Sequence, residues 1–225
     1  MRPCRGAGST GASTHYRGNV DRPGAGGTRG PVTGRWIVAQ PPTKAALLDT
    51  LRATGDDIVA KLRAVDPASY EAGRYEGGWN GRQILAHVAA LEWTYARLID
   101  VARAPAEAST PAAPAATAEV RRTTPEESPG VSTRPVRGGI DDYNARQVEK
   151  RAGATIPELI DEFAANRAKT IAAVEAADEE LLATPIRSAG GITGPLASVI
   201  VAVAVQHVMM HVADITGEPW QEQRW

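Results

Sequence analysis

Apolar residues recur at helical spacing in four separate stretches of this chain, and no stretch shows the alternating pattern of a strand of useful length. In the first stretch Thr43 can serve as the N-cap, and the apolar stripe ends where Asp66-Pro67 stops a helix. In the second stretch Asn80 is the N-cap of a stripe that continues to about Arg103. The pattern therefore predicts an all-α fold.

The third and fourth stretches lie in the C-terminal half of the chain. A short helix is predicted around Asp142 to Arg151, and Thr155-Ile-Pro-Glu158 has the form of a capping box that opens the third long helix. The fourth helix is predicted from about Leu196 to Ile215, with Gly217 as its C′ residue. Its first half is nearly all apolar but too short to cross a membrane, which predicts the most buried helix. Four amphipathic helices indicate a four-helix bundle over residues 41–217.

Three segments lack a periodic apolar face. Residues 1–40 are rich in Gly and Arg and are predicted to be a disordered basic tail. If translation begins near Val38, most of this tail is not part of the native protein. Residues 104–139 are rich in Pro, Ala, Thr and Ser and are predicted to be a flexible crossover loop between the second and third long helices. Residues 218–225 are predicted to be a C-terminal tail. Since a crossover along a bundle needs only about ten extended residues, most of the loop is surplus.

The charge and the cysteine content exclude several classes of function. The chain holds 25 basic and 26 acidic residues, and because six of the basic residues and one acidic residue lie in residues 1–36, the remainder carries a net charge of −6. An acidic folded part argues against nucleic acid as a partner. No segment predicts a signal peptide or a membrane partner. Cys4 is the only cysteine, which excludes an internal disulfide and fits a reducing cytoplasm.

Three of the four histidines fall on apolar faces of the predicted helices. His207 and His211 are four residues apart, so both lie on one face of the fourth helix, about 6 Å apart along its axis. His87 lies inside the apolar stripe of the second helix, where it can complete a group of three nitrogens if the two helices are neighbours. Three neutral imidazoles on Zn²⁺, Ni²⁺ or Fe²⁺ leave coordination positions for water or substrate.

The alternative interpretation of these histidines is a hydrogen-bonded core without metal. A single histidine on an apolar face is more often a packed residue than a ligand. Three buried imidazoles without a metal would each need a hydrogen-bond partner, and mainly Gln206, Asp214 and Glu92 could supply one. The aromatic residues that could line a substrate pocket are Trp79, Trp93 and Tyr143.

The residues between the paired histidines limit the reactions that a bound metal could catalyse. His207-Val-Met-Met-His211 has no Glu after the first histidine, so it lacks the general base of the HExxH metalloproteases. A metal site without a neighbouring base suits a nucleophile that the metal alone can deprotonate, such as a coordinated thiol. Because Cys4 is the only thiol in the chain, that thiol would come from a small molecule. No catalytic residue beyond the metal ligands is predicted.

Two motifs together resemble the DinB/YfiT-like family of metalloenzymes. One is Trp79-Asn-Gly-Arg-Gln-Ile-Leu-Ala-His87-Val on the second helix, and the other is His207-xxx-His211 on a late helix. The resemblance covers roughly residues 43–216. It implies a four-helix bundle with up-down-down-up topology, which calls for a long connection between the second and third helices. It also implies that the three histidines of the two motifs are the metal ligands.

The relatives in that family suggest a reaction. They include bacillithiol and mycothiol S-transferases and a mycothiol-dependent maleylpyruvate isomerase, in which the metal is thought to activate the cofactor thiol. We therefore expect a cytoplasmic enzyme that uses a metal to transfer a low-molecular-weight thiol to an electrophilic small molecule, and mycothiol is the favoured thiol. A homodimer is one assembly to test. Two alternatives remain open. One is a metal-dependent hydrolase or resistance protein acting on a reactive metabolite, and the other is a bundle that binds a small molecule without turnover.

Overall fold

The computed structural model describes residues 41–72, 78–104, 121–122, 131–132 and 139–218. The predicted tail of residues 1–40, most of the predicted crossover loop and residues 219–225 lie outside this part of the chain. The predictions for those segments therefore stay predictions.

Four long helices form the core of the protein. They are α1 (Lys44–Ala64), α3 (Gly81–Arg103), α5 (Ile156–Glu175) and α7 (Leu196–Thr216). In the described ranges three shorter helices lie between them in sequence, namely α2 (Pro67–Glu71), α4 (Gly139–Glu149) and α6 (Glu179–Ala183). The four long helices are those that the apolar periodicity predicts, and α4 begins three residues before its predicted start. The described chain is thus mostly helical, as expected.

The predicted capping residues explain where the long helices begin and end. The observed N-caps of α1, α3 and α5 are Thr43, Asn80 and Thr155. The Asn80 side chain accepts a hydrogen bond from the backbone N–H of Gln83, and the Gln83 side chain accepts one from the backbone N–H of Asn80. Thr155 and Glu158 form the same reciprocal capping box at the start of α5. Gly217 follows α7 in the left-handed conformation, with φ +76°, which favours glycine.

Replacing Thr155 by alanine should lower the free energy of unfolding by about 1 kcal/mol, because the first turn of α5 loses its side-chain acceptor. Thr50→Ala is the control, since the Thr50 hydroxyl only donates to the Ala46 carbonyl within α1. Its loss should change stability by a few tenths of a kcal/mol at most. Urea denaturation of both variants measures the difference, and equal losses would contradict the assignment of Thr155 as a stabilising cap.

Four short strands among the described residues correct the prediction of an all-α chain. β3 (Pro185–Arg187) and β4 (Ile192–Pro195) form an antiparallel hairpin. β1 (Arg121–Arg122) pairs antiparallel with β4, and β2 (Val131–Ser132) pairs parallel with β3. Strands of two to four residues are too short to show an alternating apolar pattern, so the sequence did not reveal them.

The strands also correct one boundary. β4 ends at Pro195 and runs directly into α7, which begins at Leu196 as the sequence predicts. Residues 121–122 and 131–132 belong to the segment predicted to be a loop without structure, yet they pair with the hairpin. Backbone pairing of this kind requires no apolar periodicity, which is the reason that composition misled the prediction at these four positions.

α7 is the helix with the largest buried share of apolar residues. All five residues of its first turns, Leu196–Ile200, are buried. The helix has 21 residues and a mean hydropathy of 1.9, so by length and composition alone it could cross a membrane, contrary to the sequence-based argument about its apolar half. However, 78% of its most apolar window lies inside the protein, as in the core helix of a soluble protein.

The packing of the long helices brings α3 and α7 together. α3 packs most extensively on α5 and also contacts α7 along its length, while α1 packs on α5 and α7. The condition that the second and fourth predicted helices must be neighbours, on which the grouping of the three histidines depends, is therefore met.

The middle of α7 departs from α-helical geometry. Val201–Gln206 is π-helical, and the backbone N–H of His207 donates to the carbonyl of Ala202, five residues back. Regular α-helix resumes over His207–Thr216. A π-helical turn takes up about one more residue than an α-helical turn, so it changes the register of everything that follows. Such segments are rare and frequently lie at functional sites, and this one directly precedes the histidine pair.

Candidate metal centre

The three histidines meet where α3 packs on α7. His87 and His211 are buried, and His207 is half-buried. One ring nitrogen of each residue lies within 4.8 Å of the other two. The ring centroids are 5.8 Å apart for His87 and His207, 5.1 Å for His87 and His211, and 4.6 Å for His207 and His211. The structure thus brings together all three residues that the sequence singled out.

The separations of the ring nitrogens fit a single divalent ion. Nε2 of His207 and Nε2 of His211 are 3.1 Å apart. Two nitrogens that each lie about 2.1 Å from one ion are about 3.0 to 3.4 Å apart at ordinary coordination angles. The remaining separations are at most 4.8 Å, so side-chain rotations that move a ring nitrogen by about 1 to 2 Å are enough to bring all three to a common ion.

Two buried ring nitrogens are unsatisfied by hydrogen bonds within the part of the chain that the structure describes. Nδ1 of His87 and Nδ1 of His211 have no hydrogen-bond partner among those residues. The carboxylate of Asp214 lies 3.6 Å from Nδ1 of His211, which is beyond hydrogen-bond distance. Buried polar atoms without a partner are uncommon in folded proteins. The convergence of the three rings therefore supports a metal site, while Nε2 of His211 also lies within hydrogen-bond distance of Nε2 of His207.

The position of Asp214 suits the role of a supporting carboxylate. It lies one turn after His211 on α7 and faces Nδ1, while Nε2 of the same ring faces His207. A metal-bound histidine commonly donates its other ring N–H to a carboxylate, which fixes the orientation of the ring. A movement of less than about 1 Å would bring Asp214 into that hydrogen bond.

The electrostatic surroundings keep His87 in the form that binds metals. Burial lowers the pKa of the His87 imidazole well below its usual value, and the neighbouring rings of His211 and His207 lower it further. The ring is therefore neutral at pH 7, with a lone pair available on one nitrogen. A proton need not be displaced from His87 before an ion can bind.

One of the three aromatic candidates for a substrate pocket contacts the site. The half-buried Trp79 ring lies 4.9 Å from the His87 ring, between centroids, at an interplanar angle of 48°. Trp93 is six residues after His87, about 240° around α3, and its ring is covered by the Arg97 guanidinium, whose Cζ is 5.2 Å from the ring centroid. Tyr143 lies on α4, and within the described ranges no ring contact joins it to a histidine. Of the three candidates, Trp79 is thus the one seen in contact with a histidine of the trio, and the role of all three in substrate binding stays a prediction.

A buried ion pair close to the histidines was not predicted. Glu92 on α3 is fully buried and Arg167 on α5 is 3% exposed. The guanidinium Nε donates to Oε1 of Glu92 at 2.6 Å, and Nη2 donates to Oε2 at 3.0 Å. Burial raises the pKa of Glu92, an effect that the charge and hydrogen bonds of Arg167 oppose. Glu92 is thus engaged by Arg167 and is not the histidine partner that the sequence analysis considered.

The sequence carried one signal for this pair. Asn166, Arg167 and Thr170 are buried polar residues on the apolar face of α5, next to Phe163 and Val174. Charged side chains are almost never fully buried unless they are paired, so Arg167 and Glu92 on two apolar faces could have been matched. Helical spacing alone did not indicate that the two faces meet.

The chain matches a family model described as the DinB superfamily over residues 50–215. Its fold is similar to that of a mycothiol-dependent maleylpyruvate isomerase, with a TM-score of 0.54 and 15% sequence identity. That alignment covers 77% of this chain but only 61% of the isomerase, so the chain spans less than two thirds of that protein.

A second solved structure with the same fold is YfiT from Bacillus subtilis, described as a probable metal-dependent hydrolase with an unusual four-helix bundle topology. The TM-score is 0.53 at 15% identity, and the alignment covers 78% of this chain and 85% of YfiT. At this identity both structures show similarity of fold alone. No curated protein sequence matches the chain significantly.

Proposed function

This chain belongs to the DinB superfamily, and from that membership and the geometry of its histidines we propose that it is a metal-dependent enzyme that transfers a low-molecular-weight thiol to an electrophilic small molecule. The observation that carries the proposal is the trio His87, His207 and His211, whose ring nitrogens lie within 4.8 Å of one another. A bound Zn²⁺, Ni²⁺ or Fe²⁺ would lower the pKa of a thiol that it coordinates and keep that thiol as a thiolate at neutral pH. Mycothiol is the proposed co-substrate.

The protein's own residues bind and orient the reactants. The three histidines hold the metal in their neutral form, and Trp79 offers an aromatic face beside His87 against which an apolar part of a substrate can pack. The thiol loses its proton to solvent, and its sulfur forms a bond to the electrophilic carbon. In a substitution, the bond to the leaving group breaks and its electron pair departs with that group. In an addition to an activated alkene, the π electrons move to the neighbouring carbon, which then takes up a proton.

The placement of the carboxylates supports a thiol over water as the nucleophile. Within the described part of the chain no carboxylate oxygen joins the group of three ring nitrogens. Asp214 lies on the Nδ1 side of His211, whereas Nε2 of that ring faces His207. Asp214 can therefore orient the ring but is not placed to remove a proton from a nucleophile on the Nε2 side. A thiol needs less help from a base than water does, because its pKa is much lower.

Two alternatives are distinguished from thiol transfer by one assay. Metal-loaded protein is incubated with mycothiol and an electrophile such as a bimane halide, and the products are separated by mass. A thiol conjugate supports the transferase, and hydrolysed electrophile without conjugate supports a hydrolase or resistance protein. Saturable binding without any product supports a binding protein. His211→Ala should abolish conjugate formation, whereas Met210→Ala, on the same turn of α7, should retain it.

The remaining parts of the proposal concern the order of the helices, the cellular location, the partners and the oligomeric state. Contacts at the helix ends support the up-down-down-up order with its long crossover after α3. Arg82 at the start of α3 donates to the Ala152 carbonyl just before α5, and Lys44 at the start of α1 donates to the Glu175 carbonyl at the end of α5. Lys61 near the end of α1 pairs with Glu218, which follows α7. We place the protein in the cytoplasm, where a thiol co-substrate stays reduced, and propose a small-molecule substrate with neither nucleic acid nor a membrane as partner. A homodimer is the assembly to look for by light scattering.

A further inference from the structure

We propose that Arg167 is a positioning residue of the metal centre: it holds the π-helical segment of α7 in the register at which His207 and His211 face His87. The inference rests on the proposed metal centre and adds to it a residue on a third helix. None of the described contacts of Arg167 is with a histidine ring, so its effect on the site must pass through the backbone of α7.

The Arg167 side chain joins all four long helices. From α5 it binds Glu92 on α3 through two hydrogen bonds. Nη1 donates to the Leu51 carbonyl and to the Thr54 hydroxyl on α1, both at 3.3 Å. Nη2 donates to the Ala204 carbonyl on α7 at 2.6 Å. The planar guanidinium, with donors in several fixed directions, is the one side-chain group that can make this set of contacts at once.

The contact with Ala204 falls within the π-helical segment. Ala204 is the fourth of the six residues Val201–Gln206 and precedes His207 by three residues. A hydrogen bond from a charged donor to a carbonyl is stronger than one between neutral groups, and this one is buried. π-helical geometry is rare, and this hydrogen bond anchors one carbonyl of the segment to a side chain of another helix.

The register matters because the ligands lie after the segment. If Val201–Gln206 reverted to α-helix, the turn would use about one residue fewer, and the remainder of α7 would rotate by about 100° relative to its buried first half. His207 and His211 would then no longer face His87 together. Arg167 is therefore coupled to the metal ligands through the geometry of a single helix.

The surroundings of Arg167 confine its side chain to this arrangement. A Cβ at Gly55 would lie 3.2 Å from Cγ of Arg167, so glycine is what lets the stem pass close to α1. On the other side the Phe163 ring centroid is 5.2 Å from the guanidinium Cζ. Glu92 fixes the plane of the guanidinium, and the same Nη2 that binds Oε2 of Glu92 also binds Ala204.

The test compares two Arg→Lys variants by Co²⁺ titration of metal-free protein. Arg167→Lys keeps the positive charge beside Glu92 but cannot also reach Ala204 and α1. Arg151→Lys is the matched control, because Arg151 makes the same bidentate pair with Glu162 on α5, and no described hydrogen bond or ion pair of Arg151 reaches α7. We expect Arg167→Lys to bind Co²⁺ at least about tenfold more weakly than the wild type, with a changed d–d absorption spectrum, and Arg151→Lys to change neither.

A purely structural role for Arg167 would lower stability without altering the spectrum of the bound ion. If folded Arg167→Lys binds Co²⁺ with wild-type affinity and spectrum, the positioning role is wrong, although the metal centre stands. If the wild type binds no Co²⁺, the proposed function itself fails. Should Arg167→Lys not fold, as judged by helicity, Glu92→Gln carries the same test. Its amide NH₂ would face the guanidinium donors and turn Nη2 away from Ala204, with the same expected spectral change.

Discussion

Replacing His207 by alanine is expected to weaken the binding of a divalent metal by about 100- to 1,000-fold. Structural Zn²⁺ sites gain about 10 to 16 kcal/mol from four ligands, which corresponds to roughly 3 to 4 kcal/mol for each ligand. His207 supplies one of the three ring nitrogens that converge between α3 and α7. Titration of metal-free protein with Zn²⁺ in the presence of a competing chromophoric chelator measures the change.

The same substitution separates a metal site from a histidine core by its effect on stability. In a metal site, added metal should raise the melting temperature of the wild type but not that of His207→Ala. In a packed core, the substitution would lower stability by about 1 to 3 kcal/mol whether or not metal is present. Met210→Ala, on the same helix, is the control and should keep the wild-type affinity. Equal affinities of His207→Ala and Met210→Ala would remove His207 from the ligand set.

Replacing Arg167 by methionine should lower the free energy of unfolding by about 3 to 5 kcal/mol. The substitution leaves the buried carboxylate of Glu92 without its partner and removes the donors that bind Leu51, Thr54 and Ala204. Arg63→Met is the matched control, because Arg63 pairs with Asp161 at 3.1 Å on the surface, where the side chains are 62% and 69% exposed. That change should cost less than about 1 kcal/mol. Similar losses in urea denaturation would contradict the importance of the buried pair.

The Arg167→Met variant should also become more stable as the pH falls from neutrality. Burial raises the pKa of Glu92 above the ordinary carboxyl value of 4.5, and without Arg167 only the hydrogen bond with Thr170 opposes that shift. The folded variant then binds more protons than the unfolded chain, so its free energy of unfolding falls as the pH rises through the raised pKa. Part of the lost stability should therefore return as the pH falls below that pKa, and this recovery should be complete below about pH 4.5. A denaturation series between pH 5 and 8 that shows the opposite slope would contradict this assignment.

The helices and their ends could be predicted because their signals are local. Thr43, Asn80 and Thr155 cap their helices through hydrogen bonds that span only a few residues, and Gly217 ends α7 by its own backbone conformation. β1 and β2 were missed because each pairs with a segment distant in sequence, and the hairpin of β3 and β4 was missed because its strands are too short to show an alternating pattern. The π-helical turn was missed for a similar reason, since its stabilising contact comes from Arg167, 37 residues earlier in the chain.

The candidate site was predictable to the extent that it depends on helix faces. His207 and His211 share a face by their spacing, and His87 lies on a stripe that faces the interior, so the packing of α3 on α7 was enough to join them. The substrate candidates Trp93 and Tyr143 were chosen by residue type, which says nothing of the direction in which a side chain points. Glu92 shows the same limit, because residue type does not tell which group a buried carboxylate will pair with, and only the tertiary structure identifies Arg167.

The claim that His87, His207 and His211 form a metal centre is tested most directly by the melting curve of untagged wild-type protein, of known metal content, recorded with and without a chelator. The account predicts about one equivalent of a transition metal in the purified protein and a melting temperature that the chelator lowers to that of His207→Ala. Adding back zinc, nickel or iron should restore the original curve. A protein that contains no transition metal, and whose melting curve responds neither to the chelator nor to any of the three metals, would contradict it.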